Sequence, residues 1–355
     1  MSRTDPIQLT RQLIDIPSVT GDERAIGAFL DTHLQQAGFS TRRHEISPGR
    51  FNLLATTSAR PRVVLCSHID TVPPFFPSSD LGDSISGRGA CDTKGIIAAM
   101  LVAGEELLAE GQKEFGFLLV VGEETDSIGA KKANIEFGDI GSEFIVVGEP
   151  TESTFVSASK GALTCTVRFE GVAAHSAYPE RGESAIRKML HALRKIDHED
   201  WGIHPLLGNA TVNIGVIRGG RKANIVPDEA EADMIFRTVG SPDDIRNGLE
   251  QIIRKHDGRI TASYGNPPMF MVSPKGAKTM VVAFNTDVPH LGALGKPILF
   301  GPGSILDAHS PTEKIRKDEI VQAAATYRKL VVDLLRGEIE IAQSSQFEVK
   351  GLRQN

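Results

Sequence analysis

The sequence predicts an α/β protein: a mostly parallel sheet with helices on both faces, interrupted by an inserted α+β module of ferredoxin-like plan. Three observations predict it. Runs apolar at every position, such as Phe115 to Val121 and Phe144 to Gly148, alternate with helical stretches, as strands buried on both faces do. From about Lys160 the rhythm changes to strand, helix, strand, strand, helix, strand, and several of those strands alternate polar with apolar. After the link Asn266-Pro267-Pro268 the first rhythm returns. At 355 residues the chain suits two domains of about 150 residues each.

In chain order, apolar residues at helical spacing predict a helix over Ile26 to Phe39, followed by strands at Phe51 to Thr56 and Arg62 to Cys66. A helix over Gly95 to Leu108, the strand Phe115 to Val121, a short helix over Gly129 to Phe137 and the strand Phe144 to Gly148 follow. The insertion reads as strand Ala162 to Phe169, helix Ser184 to Ile196, strands Ala210 to Ile217 and Glu229 to Arg237, helix Pro242 to Lys255 and strand Arg259 to Tyr264. Strand Pro297 to Phe300 and helix Asp318 to Leu335 complete the first domain. The expected boundaries are 1–158 with 270–345 for the first domain, 159–269 for the insertion and 346–355 for a polar tail.

Subtracting 45 Asp and Glu from 39 Lys and Arg gives a net charge of −6. No basic cluster offsets it, so neither nucleic acid nor an anionic membrane is an expected partner. The N-terminus lacks the apolar core of a signal peptide, and the apolar run Gly95 to Gly104 is too short to span a bilayer, which together predict a cytoplasmic protein. Cys66, Cys91 and Cys165 form no closed disulfide framework and have no zinc-ribbon spacing.

Ligands of open α/β sheets collect beyond the carboxyl ends of the strands. There the sequence places Ser67-His68-Ile69-Asp70, the loop Gly87 to Asp92, Gly122-Glu123-Glu124, Gly148-Glu149-Pro150, and Gly301-Pro302-Gly303 leading to His309. Singly, each has a structural reading: His68 as a hydrogen-bonded strand-end histidine, Asp92 as a helix N-cap, the glutamates as solvated ends. Jointly they would crowd carboxylates into one crevice, at a cost unless cations neutralise them. Two histidines with three or four carboxylates and no cysteine suit zinc-like ions at a hydrolytic site. Two divalent ions against Asp92, Glu124 and Glu149 leave one charge for a bridging hydroxide, the expected nucleophile. Of the adjacent Glu123 and Glu124, one can bind metal while the other handles protons, and Asp70 is placed to orient His68.

These segments, with Asp70-Thr71-Val72-Pro73, Thr93-Lys94-Gly95 and Thr151 continuing them, resemble the acetylornithine deacetylase and succinyl-diaminopimelate desuccinylase family over nearly the whole chain. The resemblance implies a zinc-exopeptidase-like catalytic domain with two divalent ions per chain, zinc or else cobalt. It implies that His68, Asp92 and Glu149 bind one ion, that Asp92, Glu124 and His309 bind the other, that Glu123 is the general base and that Asp70 supports His68. Ser67 stands where the family often has glycine, and no ligand is missing. The insertion takes the part of a lid and dimerisation domain. Its His175 is similar to a lid histidine that stabilises the oxyanion in a neighbouring subunit, and Asn224 and Arg237 to contacts with the substrate carboxylate. Lys160-Gly161 also matches, with contact to substrate and shaping of the hinge both open. A homodimer is implied.

The implied reaction is hydrolysis of the amide of a small N-acyl amino acid, most like acetylornithine deacetylation in arginine biosynthesis. Succinyl-diaminopimelate, carrier-linked lysine or ornithine, and dipeptides stay open as substrates. Outside this class, Ser157-Ala158-Ser159-Lys160 fits the S-x-x-K pattern of serine acyl hydrolases, but its surroundings read as strand and no companion segment accompanies it. Gly87 and Gly89 do not complete a nucleotide-binding fingerprint. A non-catalytic ligand- or metal-binding protein on the same fold is the third reading, against which the complete ligand set and Glu123 speak.

Overall fold

The computed structural model describes residues 4–343; the expected tail, 346–355, lies outside the described residues. The chain divides into two compact units. One takes the chain up to Ser157, Met271–Met280 and the chain from Thr286; the other takes Ala158–Phe270 and Val281–Asn285.

The sheet of the first unit runs, edge inward, Ser40–Ser47, Arg50–Thr56, Phe115–Val120, Val63–His68, Phe144–Val147, Lys296–Leu299 and Phe155–Ser159. The four strands Phe115–Val120, Val63–His68, Phe144–Val147 and Lys296–Leu299 are parallel, flanked on either side by antiparallel pairings. Residues alternate between the faces. Leu53, Val63, Leu65, Phe117, Leu119, Val146 and Ile298 share a core with helices Pro6–Asp15, Arg24–Ala37, Gly95–Ala109 and Lys317–Arg336. Helix Ile128–Glu136 packs on strands Ser40–Ser47, Arg50–Thr56 and Phe115–Val120 and carries buried Ala130 and Ala133. Helix Gly95–Ala109 is buried almost throughout. Gly104 permits its close approach, since a Cβ there would lie 2.3 Å from the Phe117 ring.

Register places the site. Val63 pairs with Phe115 and Phe144, and Phe144 pairs with Lys296, so four parallel strands end side by side. His68, the turn after Val120, Glu149 and Gly301 therefore issue from neighbouring carboxyl ends.

The inserted unit carries an antiparallel sheet in the order Thr211–Gly219, Glu229–Thr238, Gly161–Glu170, Gly258–Asn266. Numbered along the insertion this is 2-3-1-4, the ferredoxin-like arrangement. Helices Ala185–Asp197 and Pro242–Arg254 start on Ser184 and Ser241, whose hydroxyls accept from the first-turn N–H groups of Arg187 and Asp243. They share one core with Val167, Phe169, Met234 and Phe236, and Trp201 meets Phe236 edge-on at 4.9 Å between ring centres. Polar residues alternate with these, and Arg218 pairs with Asp233 across neighbouring strands at 2.8 Å.

Candidate metal centre

His68 is the last residue of its strand and is buried. Its Nδ1 lies 3.0 Å from the Asp70 carbonyl and 3.6 Å from the Asp70 carboxylate, so the carbonyl is the hydrogen-bond acceptor that sets the tautomer. With Nδ1 donating, Nε2 is turned to Asp92 Oδ1 at 3.0 Å. The Asp70 carboxylate accepts instead from Thr20 Oγ1 and from the backbone N–H groups of Glu123 and Glu124, at 2.7, 3.1 and 3.3 Å. Asp70 thus ties the strand end of His68 to the acidic turn. Burial pushes its carboxyl up, but His68 and these donors hold it below the usual range.

Asp92 lies in the turn Ala90–Lys94, ahead of helix Gly95–Ala109, with non-helical φ and ψ of −125° and 82°. It makes no capping bond to the helix; the N-cap is Lys94. Its two oxygens face two imidazoles, Oδ1 to His68 and Oδ2 to His309 Nε2 at 3.2 Å. Burial acts to raise the Asp92 carboxyl, and the bonds to His309 and His68 overcome it and hold it low. His309, half-exposed and at a φ of +58°, also lies 2.9 Å from Glu124 Oε2. Its bonds to Asp92 and Glu124 push it up to about 10. Donor atoms of His68, Asp92 and Glu124 lie within 4.8 Å of one another.

Glu149 is buried at the next strand end, in the field of His68, Asp92, Asp287 and Glu124. Burial, with these neighbouring carboxylates, pushes it well above the usual range, and it does the same to Glu123. Ser67, the position of the departure from glycine, lies 3.0 Å from the Gly148 carbonyl and 2.8 Å from Thr93 Oγ1, joining this strand end to the turn of Asp92. Thr151, two residues beyond Glu149, exchanges bonds with Gly301 through its hydroxyl and backbone, so that loop is fastened to the one leading to His309.

The structure thus brings His68, Asp70, Asp92, Glu123, Glu124, Glu149 and His309 together in the first unit. Sequence reasoning missed Asp287, a buried carboxyl that burial pushes up to about 6, and Glu313, whose carboxylate accepts from the Asp92 N–H. Glu313 follows His309 by four residues, a spacing that carries no signal alone; Asp287 follows no apolar strand. The remaining candidates lie in the inserted unit. His175 pairs with Ile225 in an isolated bridge, and the Ser176 N–H donates to the Asn224 carbonyl at 3.0 Å, so the His175 and Asn224 loops adjoin. Arg237 opposes Ala162 and Thr211, is partly buried and has no ion-pair partner among the described residues. Lys160 donates to the Asn209 carbonyl.

The donor set fits divalent cations. Buried Glu124 Oε1 has no hydrogen-bond partner among the described residues, and two imidazoles converge on separate oxygens of one carboxylate. The surrounding carboxyls Glu123, Glu149 and Asp287 outnumber the positive groups that face them. No helix among the described residues is long and apolar enough to cross a membrane.

Residues 157–261 match the peptidase dimerisation domain of the M20 family. A peptidase M20 domain-containing protein of Schizosaccharomyces pombe is 36% identical over 344 residues, covering 93% of this chain and 85% of that protein. A probable carboxypeptidase of Aspergillus clavatus is 34% identical over 367 residues, covering 93% and 88%. In structure the chain is similar to a tripeptidase from Staphylococcus aureus, with a TM-score of 0.79 at 21% identity over 94% of this chain and 99% of that one. The chain belongs to the M20 peptidase family, metal-dependent hydrolases in which a dimerisation domain is inserted into a mixed α/β domain.

Proposed function

We propose that this protein hydrolyses the amide bond that joins an acyl or peptidyl group to an amino acid bearing a free carboxylate. The observation that carries the reading is the convergence of His68 and His309 on Asp92, with Glu124 beside them and partly buried Glu123 next to Glu124 in the chain. In this reading His68, Asp92 and Glu149 hold one divalent ion, and Asp92, Glu124 and His309 hold a second, zinc or else cobalt. Ions so held supply Lewis-acid polarisation of the scissile carbonyl and lower the pKa of water.

The chain's own groups do the rest. Glu123, unused as a ligand, takes a proton from the attacking water and returns it to the amide nitrogen as the C–N bond breaks, releasing the amino acid and a carboxylic acid. Burial among carboxylates keeps Glu123 basic enough for that shuttle. Asp70 fixes the His68 ring through its carbonyl and the Glu123 backbone through its carboxylate. Arg237 offers a guanidinium free to take a substrate carboxylate, with Asn224 beside it in role, and His175 supplies an oxyanion donor across a homodimer.

Deacylation of acetylornithine and removal of a C-terminal residue from a peptide both fall within this bond class. The likeness to a probable carboxypeptidase favours a peptidyl group as the acyl part. The zinc-loaded protein should therefore cleave dipeptides and N-acetyl amino acids that end in a free carboxylate. C-terminal amidation of the same compounds should cost about 10–100-fold, the worth of a charge-assisted bond. Equal cleavage of the amides would defeat the reading.

A further inference from the structure

Glu313 is completely buried and joins the two loops that carry Asp92 and His309. One carboxylate oxygen accepts from Arg88 Nη1 at 2.6 Å. The other accepts from the backbone N–H of Cys91 and of Asp92, each at 3.2 Å. Arg88 is itself buried, donating from Nε to the Pro74 carbonyl at 3.2 Å and lying over the Phe76 ring. The Gly87 N–H donates to the carbonyl of Glu313, so both ends of Gly87 to Asp92 are fastened to this one residue.

Two features make this more than a loop latch. The backbone of Asp92 is not helical, and the acceptor for its N–H is the Glu313 carboxylate. The direction in which the Asp92 carboxylate points, between His68 and His309, is thereby set from behind by Glu313. The second feature is cost: a buried ion pair repays its desolvation only when its remaining hydrogen-bonding capacity is satisfied. Glu313 meets that condition by spending one oxygen on the backbone of Asp92 rather than on a second cation.

We propose that Glu313, held in place by Arg88, is a positioning residue for the metal centre, orienting Asp92 against the His309 loop so that cations bind tightly. The proposal rests on the metal-centre reading given above. A partner that orients a ligand without touching the metal typically carries about 10–100-fold in affinity. Glu313→Gln keeps the shape and an oxygen for the N–H groups but leaves Arg88 uncompensated and the orientation weaker.

The test is a zinc competition titration against a chromogenic chelator, on the full chain stripped of metal, with thermal melts before and after zinc. Relative to the unmodified protein, Glu313→Gln should bind zinc about 10–100-fold more weakly, and its melting temperature should rise less on adding zinc. Unchanged zinc affinity with a lowered melting temperature of the stripped protein would overturn the proposal and leave Glu313 a purely structural latch. Should Glu313→Gln give no cooperative melt, Glu313→Asp replaces it under the same criterion, since the shorter side chain cannot span Arg88 and both N–H groups. If the unmodified protein bound no zinc, the metal-centre reading would fall instead.

Discussion

His68, Asp92 and Glu149 of the first unit are almost wholly buried, whereas His175 and Asn224 of the inserted unit stand exposed on adjoining loops. The first group is held before any ligand arrives: Asp70, Ser67, Thr93, Thr151 and Glu313 each fasten one candidate's strand end or loop to another's. Among the described residues Arg237 and His175 have no comparable web and no anion faces Arg237, whose guanidinium burial holds below its usual range. The difference teaches where precision is built in. Groups proposed to meet a metal are fixed by the fold, and groups proposed to meet the substrate are left to find it.

Breaking the first group should have the largest effect. Asp92→Ala removes the carboxylate facing both imidazoles and should abolish zinc binding, read by metal analysis after dialysis, along with activity. Glu124→Gln should also lose metal. Glu123→Gln should keep its zinc and still lose about 10²–10⁴-fold in turnover, because it removes proton transfer alone. If the two glutamate variants gave the reverse pattern, their roles would have to be exchanged.

The inserted unit offers smaller effects and a sharper form of the comparison. His175→Ala should lower turnover about 10²–10³-fold, as removal of an oxyanion donor does, with zinc content unchanged. Mixing His175→Ala chains with Glu123→Gln chains should restore activity toward half that of the unmodified protein. A crossed heterodimer holds one site missing both groups and one missing neither. Without crossing, mixing a verified heterodimer restores nothing. Arg237→Ala should chiefly raise KM, by about 10–100-fold, through loss of a charge-assisted bond, and should leave C-terminally amidated substrates unaffected.

Much of this molecule is legible in its sequence because the central strands are apolar on both faces and the insertion's strands alternate. Strand Val63–His68 shows how far that goes: it extends to His68 itself, two residues past the end of its apolar run. Other elements carried weaker signals. Strand Ser40–Ser47 is an edge strand of charged and polar residues, Thr41-Arg42-Arg43-His44-Glu45, and no apolar alternation marks it. Helix Pro6–Asp15 is not among the elements the sequence predicts: its signals, Asp5 capping Ile7, Pro6 in the first turn, and Leu9, Leu13 and Ile14 on one face, are spread over a short segment. In the site, strand-end histidines and carboxylates announce themselves by position. Asp287 and Glu313 do not, because they lie in irregular segments and gain their surroundings only from tertiary contact.

Zinc titration of the metal-stripped chain, with hydrolysis of a dipeptide followed at each addition, tests the central claim most directly. Activity should be absent at the start, rise with zinc and level off at two ions per chain, with a melting temperature that climbs in step as bound metal stabilises the folded state. Full activity in the stripped protein, or saturation of activity with no zinc bound, would contradict the account.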